Sequence, residues 1–311
     1  FVMANAIFYI GSYGAGGDSI GFWDGAVKLN NLFWDNPFGY FEEIFQSNDA
    51  KNLYKNFNPN TGYPDGRVYM ETESFFISKI ASIFTFVTFK GYILMSIIFA
   101  FITTNASWKL FELARSYNLH KDWHLALAIF FIPSLSFWCG GISKDTVVFV
   151  AICYFLHNLF KILSKDTKGK IKNWIYLLLC LYVIIQVRSF IVAALLVPLL
   201  FAYSSRLAKK LENRKFERFL LRFFIAMVGI GAILVFFQSS VADDFLKEAA
   251  VINQDMTTNK SYGTNRYDLG VTDYSPAGMI AAFPASVLAG FYRPYIWEAL
   301  SFSLLLNGIE S

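Results

Sequence analysis

The chain has 311 residues, of which 55% are hydrophobic, 19% aromatic and only 16% charged, and its net charge is +4. Soluble domains carry about 25% charged residues. Together with a mean hydropathy of +0.42, this composition excludes disordered, collagen-like and nucleic-acid-binding chains and predicts an integral membrane protein. The three cysteines show no CxxC or Cys/His spacing and predict neither a disulfide framework nor a zinc site.

Several apolar runs approach the roughly 20 residues that a helix needs to cross a bilayer. Phe1 begins what resembles the tail of a helix, and residues 297–309 resemble the start of one, so both ends are expected to lie within a longer protein. The predicted spans are 87–104, 123–138, 146–163 and 219–238, with a further apolar run at 174–203.

Arg188 lies near the middle of the run 174–203. An arginine in the middle of a membrane costs roughly 2.5–3.5 kcal/mol on insertion scales. Two short helices with Arg188 at the turn between them avoid this cost, so the sequence predicts a helical hairpin there.

Basic residues indicate the orientation of these spans. Residues 105–122, 161–173 and 204–222 hold fifteen of the 27 basic residues but only five of the 23 acidic ones. Cytoplasmic loops carry such an excess of Lys and Arg, so these three segments are predicted to be cytoplasmic. Residues 14–86, 139–145, Arg188 and 239–296 are then predicted to face outward.

Two outward segments have their own organisation. Residues 14–86 contain short apolar runs at helical spacing and many aromatic residues, which predict amphipathic helices in the membrane interface, with a further helix at 74–89. Residues 56–67 are a turn-rich connector. In the second outward segment, 253–275 resembles a polar loop, and 276–291 is predicted to be a re-entrant or broken helix at Pro284.

Charged residues gather at the predicted outer boundary. Polar groups near membrane depth are costly and therefore indicate function. Lys and Arg side chains are suited to binding the phosphate of a lipid. A nearby carboxylate could act as a general base, and carboxylates could also bind a divalent cation as a cofactor. The candidate residues are Asp18, Lys144, Asp145, Arg188, Arg293 and Glu298.

Simpler structural interpretations stay open for these residues. Asp18 is also suited to capping a helix after two glycines, and Ser143 to capping the next helix, with Asp145 in its first turn. Arg188 is also able to snorkel to headgroups, and Arg293 to anchor the interface beside aromatic residues. Five other outward acids are interpreted as solvated loop charges: Asp24, Glu42, Glu43, Glu71 and Glu73.

The order of these features resembles the GT-C superfamily of polytopic glycosyltransferases, in which an outward carboxylate follows the first span and interfacial helices come next. Residues 133–138 (PSLSFW) running into 141–145 (GISKD) are similar to a "PSxxFW…G…KD" stretch of bacterial cell-surface polysaccharide membrane proteins, and 293–298 (RPYIWE) to an "RPFxWE" ending in that group. This resemblance implies that Asp18 is the base on the acceptor and that Arg188 and Arg293 contact the donor phosphate.

The predicted fold is an all-α, polytopic, GT-C-like membrane bundle in one transmembrane domain over residues 1–311. The predicted function is that of a membrane glycosyltransferase or glycan polymerase on the periplasmic face of the bacterial inner membrane. It would transfer a sugar from a polyprenyl-(pyro)phosphate-linked donor to a glycan or lipid acceptor, in contact with membrane lipids and with no nucleic acid. Two alternatives are a transporter or flippase for a lipid-linked glycan and a non-catalytic subunit of an envelope complex.

Overall fold

The structure is a computed structural model that describes residues 2–12, 18–46, 54–117, 121–163, 170–210 and 275–292, with isolated positions between 216 and 273. The predicted span 219–238, the polar loop 253–275 and the final segment 297–309 lie wholly or largely outside the described residues. The chain forms two compact units, Phe1–Leu195 and Leu196–Ser311.

Every regular element in the described residues is helical, as the sequence predicts. In chain order the helices are α1 (Val2–Ser12), α2 (Asp18–Asp35), α3 (Pro37–Phe45), α4 (Gly66–Met70), α5 (Thr72–Thr88), α6 (Tyr92–Ser116), α7 (Asp122–Phe130), α8 (Pro133–Trp138), α9 (Lys144–Leu163), α10 (Lys170–Lys210) and α11 (Pro276–Tyr292).

Three helical stretches of the described chain are long and apolar enough to cross a membrane: Tyr92–Ser116, Lys144–Leu163 and Ile171–Val192. This indicates a membrane protein, and the first two stretches confirm the predicted apolar helices near 87–104 and 146–163. Helix α6 begins later than predicted because Phe89 and Lys90 adopt left-handed backbone angles (φ 50° and 62°), which end α5 before the apolar run starts.

The predicted span 123–138 is wrong as a single helix, because the chain divides there into α7 and α8. Proline favours an extended conformation in the residue before it and is well placed in a first helical turn. Ile132 is accordingly extended (φ −78°, ψ 112°), and Pro133 begins α8. Nine and six residues are each too few to cross a bilayer.

The predicted interruption at Arg188 is confirmed. Helix α10 contains one residue with non-helical angles, and that residue is Arg188 (φ −151°, ψ 81°). At 1.5 Å per residue, the stretch from Ile171 to Arg188 is about 26 Å long, close to the thickness of the hydrocarbon layer. The arginine therefore lies at the end of an apolar helix rather than in its middle. The reversal of the chain after Arg188 stays a prediction.

Segment 14–86 contains the predicted helices, α2 to α5. Helices α2 and α5 pack closely at Gly25, where a Cβ atom would lie 2.6 Å from Ser78 Oγ. Helix α3 buries Tyr40 and Glu43 but exposes three phenylalanines at helical spacing, Phe38, Phe41 and Phe45. An exposed aromatic face of this kind suits the membrane interface.

In the second unit, the described helices are the last part of α10 and α11. The prediction of a break at Pro284 is wrong, because α11 runs continuously from Pro276 to Tyr292 with Pro284 inside it. The alternative of a re-entrant helix stays a prediction. A proline removes one backbone hydrogen bond from a helix, but apolar helices tolerate this through small local adjustments.

Candidate functional site

Asp18 is the first residue of α2, the position that the sequence suggested for a helix start. A carboxylate is favourable there because the N-terminus of a helix carries partial positive charge. Arg67 donates a hydrogen bond from Nη2 to Asp18 Oδ1 at 2.8 Å. The Asp18 side chain is 66% exposed, so its second oxygen is accessible from solvent.

Arg67 was not among the predicted site residues. It lies in the short helix α4, which Asp65 caps by accepting hydrogen bonds from the backbone N–H groups of Arg67 and Val68. A sequence signal was available, since Arg67 is the single arginine of segment 14–86 and follows a Pro-Asp-Gly turn. The turn places α4, and with it the guanidinium, beside the start of α2.

Lys144, the first residue of α9, lies between two carboxylates. Its Nζ is 3.3 Å from Glu71 Oε2 and 3.7 Å from Glu73 Oε2. Burial acts to raise the pKa of Glu71, but hydrogen bonds from Ser74 and Lys144 and the charges of Lys144 and Arg67 outweigh it, so this pKa lies below its ordinary value. Glu71 and Glu73 are therefore ion-paired rather than merely solvated.

Asp145 and Arg188 form the third contact. Arg188 Nη2 donates to Asp145 Oδ1 at 2.8 Å. The predicted cap of this helix is also present, because Ser143 Oγ accepts from the backbone N–H of Thr146 at 3.0 Å. Arg188 Nε is buried and has no hydrogen-bond partner. The residue at the break in α10 thus has a guanidinium whose Nε is a buried donor without a partner.

These residues form what we call the charged cluster. It comprises Asp18, Arg67, Glu71, Glu73, Lys144, Asp145 and Arg188. Four of the six predicted site residues belong to it, and the other two, Arg293 and Glu298, lie outside the described residues. Asp18 and Arg188 are connected through the cluster: Arg67 is one helical turn from Glu71, Glu71 contacts Lys144, and Lys144 precedes Asp145.

The cluster offers mixed chemistry. Its three cations and four carboxylates give a net charge of −1 at neutral pH. In the part of the chain that the structure describes, no group of three His, Cys, Asp or Glu side chains is arranged to hold a metal ion. Alternating donors and acceptors on an accessible surface suit a ligand with several hydroxyl groups, and the Arg188 donor suits an oxyanion.

Glu43 was predicted to be a solvated loop charge, and this is wrong: its residue is 0% exposed. Its carboxylate accepts hydrogen bonds from Gln46 Nε2 (2.9 Å), Asn56 Nδ2 (3.2 Å) and Tyr69 Oη (3.3 Å). Burial raises the pKa of Glu43, and these bonds and the charge of Lys79 act against the rise. We call these five residues the Glu43 cluster. No hydrophobic pattern in the sequence marks it, because α3 carries its apolar face outward.

Comparisons with protein-family models, with curated proteins and with solved structures found no match to this chain. The function is therefore argued from the charged cluster itself.

Proposed function

We propose that the charged cluster is the active site of a GT-C-like membrane glycosyltransferase or glycan polymerase. The observation that carries the proposal is the convergence of seven charged side chains, from α2, α4, α5, α9, α10 and the residue between α4 and α5, beside the ends of apolar helices. Charges beside apolar helices are costly and mark binding or catalysis more often than architecture.

The donor class follows from the position of the cluster. A sugar linked to a polyprenyl phosphate or pyrophosphate keeps its chain among the apolar helices and presents its phosphate and sugar at their ends. The cluster carries a net charge of −1, which disfavours an anion. The donor phosphate therefore needs a hydrogen-bond donor that is not already bound to a carboxylate. Arg188 Nε, which is buried without a partner, supports that role.

In the proposed reaction, an acceptor hydroxyl attacks the anomeric carbon of the donor sugar while the bond from that carbon to the phosphate oxygen breaks. Asp18 takes the hydroxyl proton as general base. The lipid phosphate leaves with the bonding electron pair, and its charge is stabilised by Arg188. The exposure of Asp18 supports this role, because the acceptor arrives from water.

The excess of basic residues in the segments after α6, after α9 and at the end of α10 favours a cytoplasmic position for those segments. The charged cluster, at the opposite ends of α6 and α9, would then face the periplasm of a bacterium. The enzyme would assemble cell-envelope polysaccharide or glycoconjugate from the inner membrane.

The test compares Asp18→Asn and Arg188→Ala with Asp24→Asn in cells that carry the full-length protein in place of the wild type. Asp24 is a matched control, since it is a partly exposed aspartate on the same helix and pairs with Lys28 at 3.5 Å, outside the cluster. We expect envelope glycan to fall at least 100-fold for the first two variants and to stay unchanged for the control. Unchanged glycan in both test variants would remove the proposal.

A non-catalytic envelope subunit is the second candidate, and one observation favours it. Every charged side chain of the cluster is already ion-paired within the chain, as expected of a surface held for assembly. In that case charge-reversed pairs preserve function, so Asp18→Arg combined with Arg67→Asp would keep wild-type glycan levels. An enzyme loses them, because its base has moved.

A further inference from the structure

The chain between α8 and α9 is a buried turn, which we call the α8–α9 turn (residues 139–143). Four of its five residues are buried. Loops usually lie on the surface, because a buried loop must find hydrogen-bond partners for its backbone groups. Here side chains outside the turn provide them: Thr103 Oγ1 donates to the Cys139 carbonyl at 3.1 Å, and Thr146 Oγ1 donates to the Gly141 carbonyl at 2.7 Å. The position of the turn is therefore set by its contacts with the helices around it.

Asn5 of α1 contacts this turn from a distant part of the sequence. The residue is only 2% exposed, and its Nδ2 donates to the carbonyl oxygen of Phe137, at the end of α8, at 2.9 Å. Its Oδ1 lies so close to Gly141 that a Cβ atom at this glycine would overlap it. One side chain thus contacts both the residues that enter the turn and the turn itself, and only glycine leaves room for it at position 141.

Stability does not explain the presence of Asn5. Its Oδ1 is buried without a hydrogen-bond partner, a cost that offsets the gain from its bond to Phe137. The carbonyl of Phe137 also accepts a hydrogen bond from the backbone N–H of Gly140 at 3.2 Å, so this carbonyl does not depend on Asn5 for a partner. What Asn5 adds is a fixed distance between α1 and the α8–α9 turn.

The turn leads directly into two residues of the charged cluster. Lys144 Nζ lies 3.3 Å from Glu71 Oε2, and Asp145 Oδ1 accepts a hydrogen bond from Arg188 Nη2 at 2.8 Å. Lys144 and Asp145 are the first two residues of α9, so a movement of the turn displaces both of them together. Where reacting groups must be aligned, a misplacement of about 1 Å can cost roughly a hundredfold in rate.

We propose that Asn5 is a positioning residue, which holds the α8–α9 turn against α1 and so places Lys144 and Asp145 opposite their partners in the charged cluster. It acts through the turn and does not itself contact the substrate. Its effect on envelope glycan rests on the proposed function, whereas its effect on the geometry of the charged cluster does not.

The test measures the contact of Lys144 with Glu71 and Glu73 by chemical cross-linking of the purified full-length protein in detergent micelles. A carbodiimide joins an amine and a carboxylate in ion-pair contact as an amide, with loss of water, and mass spectrometry of the peptides measures the yield. The Lys55–Glu42 pair, with its atoms 2.7 Å apart, cross-links in the same sample and is the internal standard. Relative to this standard, we expect Asn5→Ala to lower the yield of the Lys144 cross-links roughly tenfold.

Asn105→Ala is the matched control. Asn105 is an exposed asparagine on α6, and its Oδ1 accepts a hydrogen bond from the hydroxyl of Tyr154 on α9. This variant therefore also removes an amide contact with α9 but leaves the α8–α9 turn unchanged, and its yield should equal that of wild type. Gly141→Ala changes the contact with Asn5 from the other side, and it too should lower the yield roughly tenfold.

The same variants are compared in cells, where envelope glycan should fall roughly tenfold in Asn5→Ala and Gly141→Ala. A wild-type cross-link yield in Asn5→Ala would overturn the positioning role. If that variant does not fold, a wild-type yield in Gly141→Ala would overturn it instead. A lost cross-link with unchanged glycan would support the positioning role and contradict the proposed function, so the two failures are distinguishable.

Discussion

The charged cluster and the Glu43 cluster both depend on acids of segment 14–86, yet their carboxylates are in opposite environments. The Asp18 side chain is 66% exposed and has one contact to Arg67. Glu43 is fully buried and accepts hydrogen bonds from three different side chains. An exposed ion pair contributes little to stability, whereas leaving buried polar groups without their hydrogen-bond partner is strongly destabilising. The difference teaches that Asp18 is available for ligand chemistry and Glu43 is committed to the fold.

The two clusters are nevertheless connected. Tyr69, which donates to Glu43, belongs to α4, the same short helix that carries Arg67 to Asp18. Tyr69 also stacks on Tyr54 with ring centroids 4.7 Å apart. The buried carboxylate of Glu43 therefore holds α4 in place through Tyr69, and α4 in turn positions the Arg67 guanidinium. Substitutions in the Glu43 cluster should disturb function through position, and substitutions in the charged cluster should do so directly.

The largest effect is expected for Glu43→Ala. It leaves the buried hydroxyl of Tyr69 and the partly buried amide groups of Gln46 and Asn56 without their acceptor, and we expect it to lower the free energy of unfolding by about 3 kcal/mol. The measurement is unfolding in mixed detergent micelles, followed by circular dichroism.

Glu42→Ala is the matched control for this change. Glu42 is the neighbouring acid on α3, but it is exposed and pairs with Lys55 at 2.7 Å. We expect a much smaller change in stability. If Glu43→Ala and Glu42→Ala are equally destabilised, the burial of Glu43 does not explain its contribution to stability.

The second prediction concerns Lys79, which is 8% exposed and donates to the backbone carbonyl of Gln46 at 2.8 Å. Burial lowers the pKa of Lys79 from 10.5 to about 8, although Glu43 acts to raise it. Between pH 8 and 10.5 the unfolded chain binds more protons at this residue than the folded protein does. Stability should therefore rise with pH in this window, by about 2 kcal/mol from this residue.

Lys79→Met isolates this contribution, because the other groups that titrate between pH 8 and 10.5 are the same in both proteins. The difference in unfolding free energy between wild type and variant should change across the window and stay constant below pH 8. A difference that is independent of pH would show that the buried lysine keeps its proton throughout.

The sequence predicted the apolar helices α6 and α9, the interruption at Arg188 and four members of the charged cluster, because each depends on local signals. An arginine within an apolar run must leave the hydrocarbon, and Ser143 caps α9 through a hydrogen bond three residues away. Arg67 was missed because its contact with Asp18 joins positions far apart in the chain. Glu43 was misjudged because α3 turns its phenylalanines outward and its carboxylate inward, the reverse of the pattern in a soluble protein.

Arg188→Gln should have a moderate effect on stability, because the exposure of Arg188 is intermediate between that of Asp18 and that of Glu43. Its side chain is 36% exposed and bonded to Asp145, but its Nε is buried without a partner. Losing the ion pair costs stability, while removing an unsatisfied donor offsets part of that cost. We expect a net loss of about 1 kcal/mol, measured in the same micelles. A gain in stability would mean that the unsatisfied Nε outweighs the ion pair, which would strengthen its assignment to a ligand.

The smallest effect on stability is expected for Asp18→Asn, one of the two variants expected to lose envelope glycan. The Asp18–Arg67 pair is more than half exposed on both sides, so we expect a change within about 0.5 kcal/mol. A double-mutant cycle with Arg67→Gln should give a coupling energy of similar size. Stability near wild type together with lost glycan would assign Asp18 to chemistry rather than to the fold. A loss as large as that of Glu43→Ala would mean instead that Asp18 holds α2 against α4, and the exposed and the buried acid would then serve the same structural purpose.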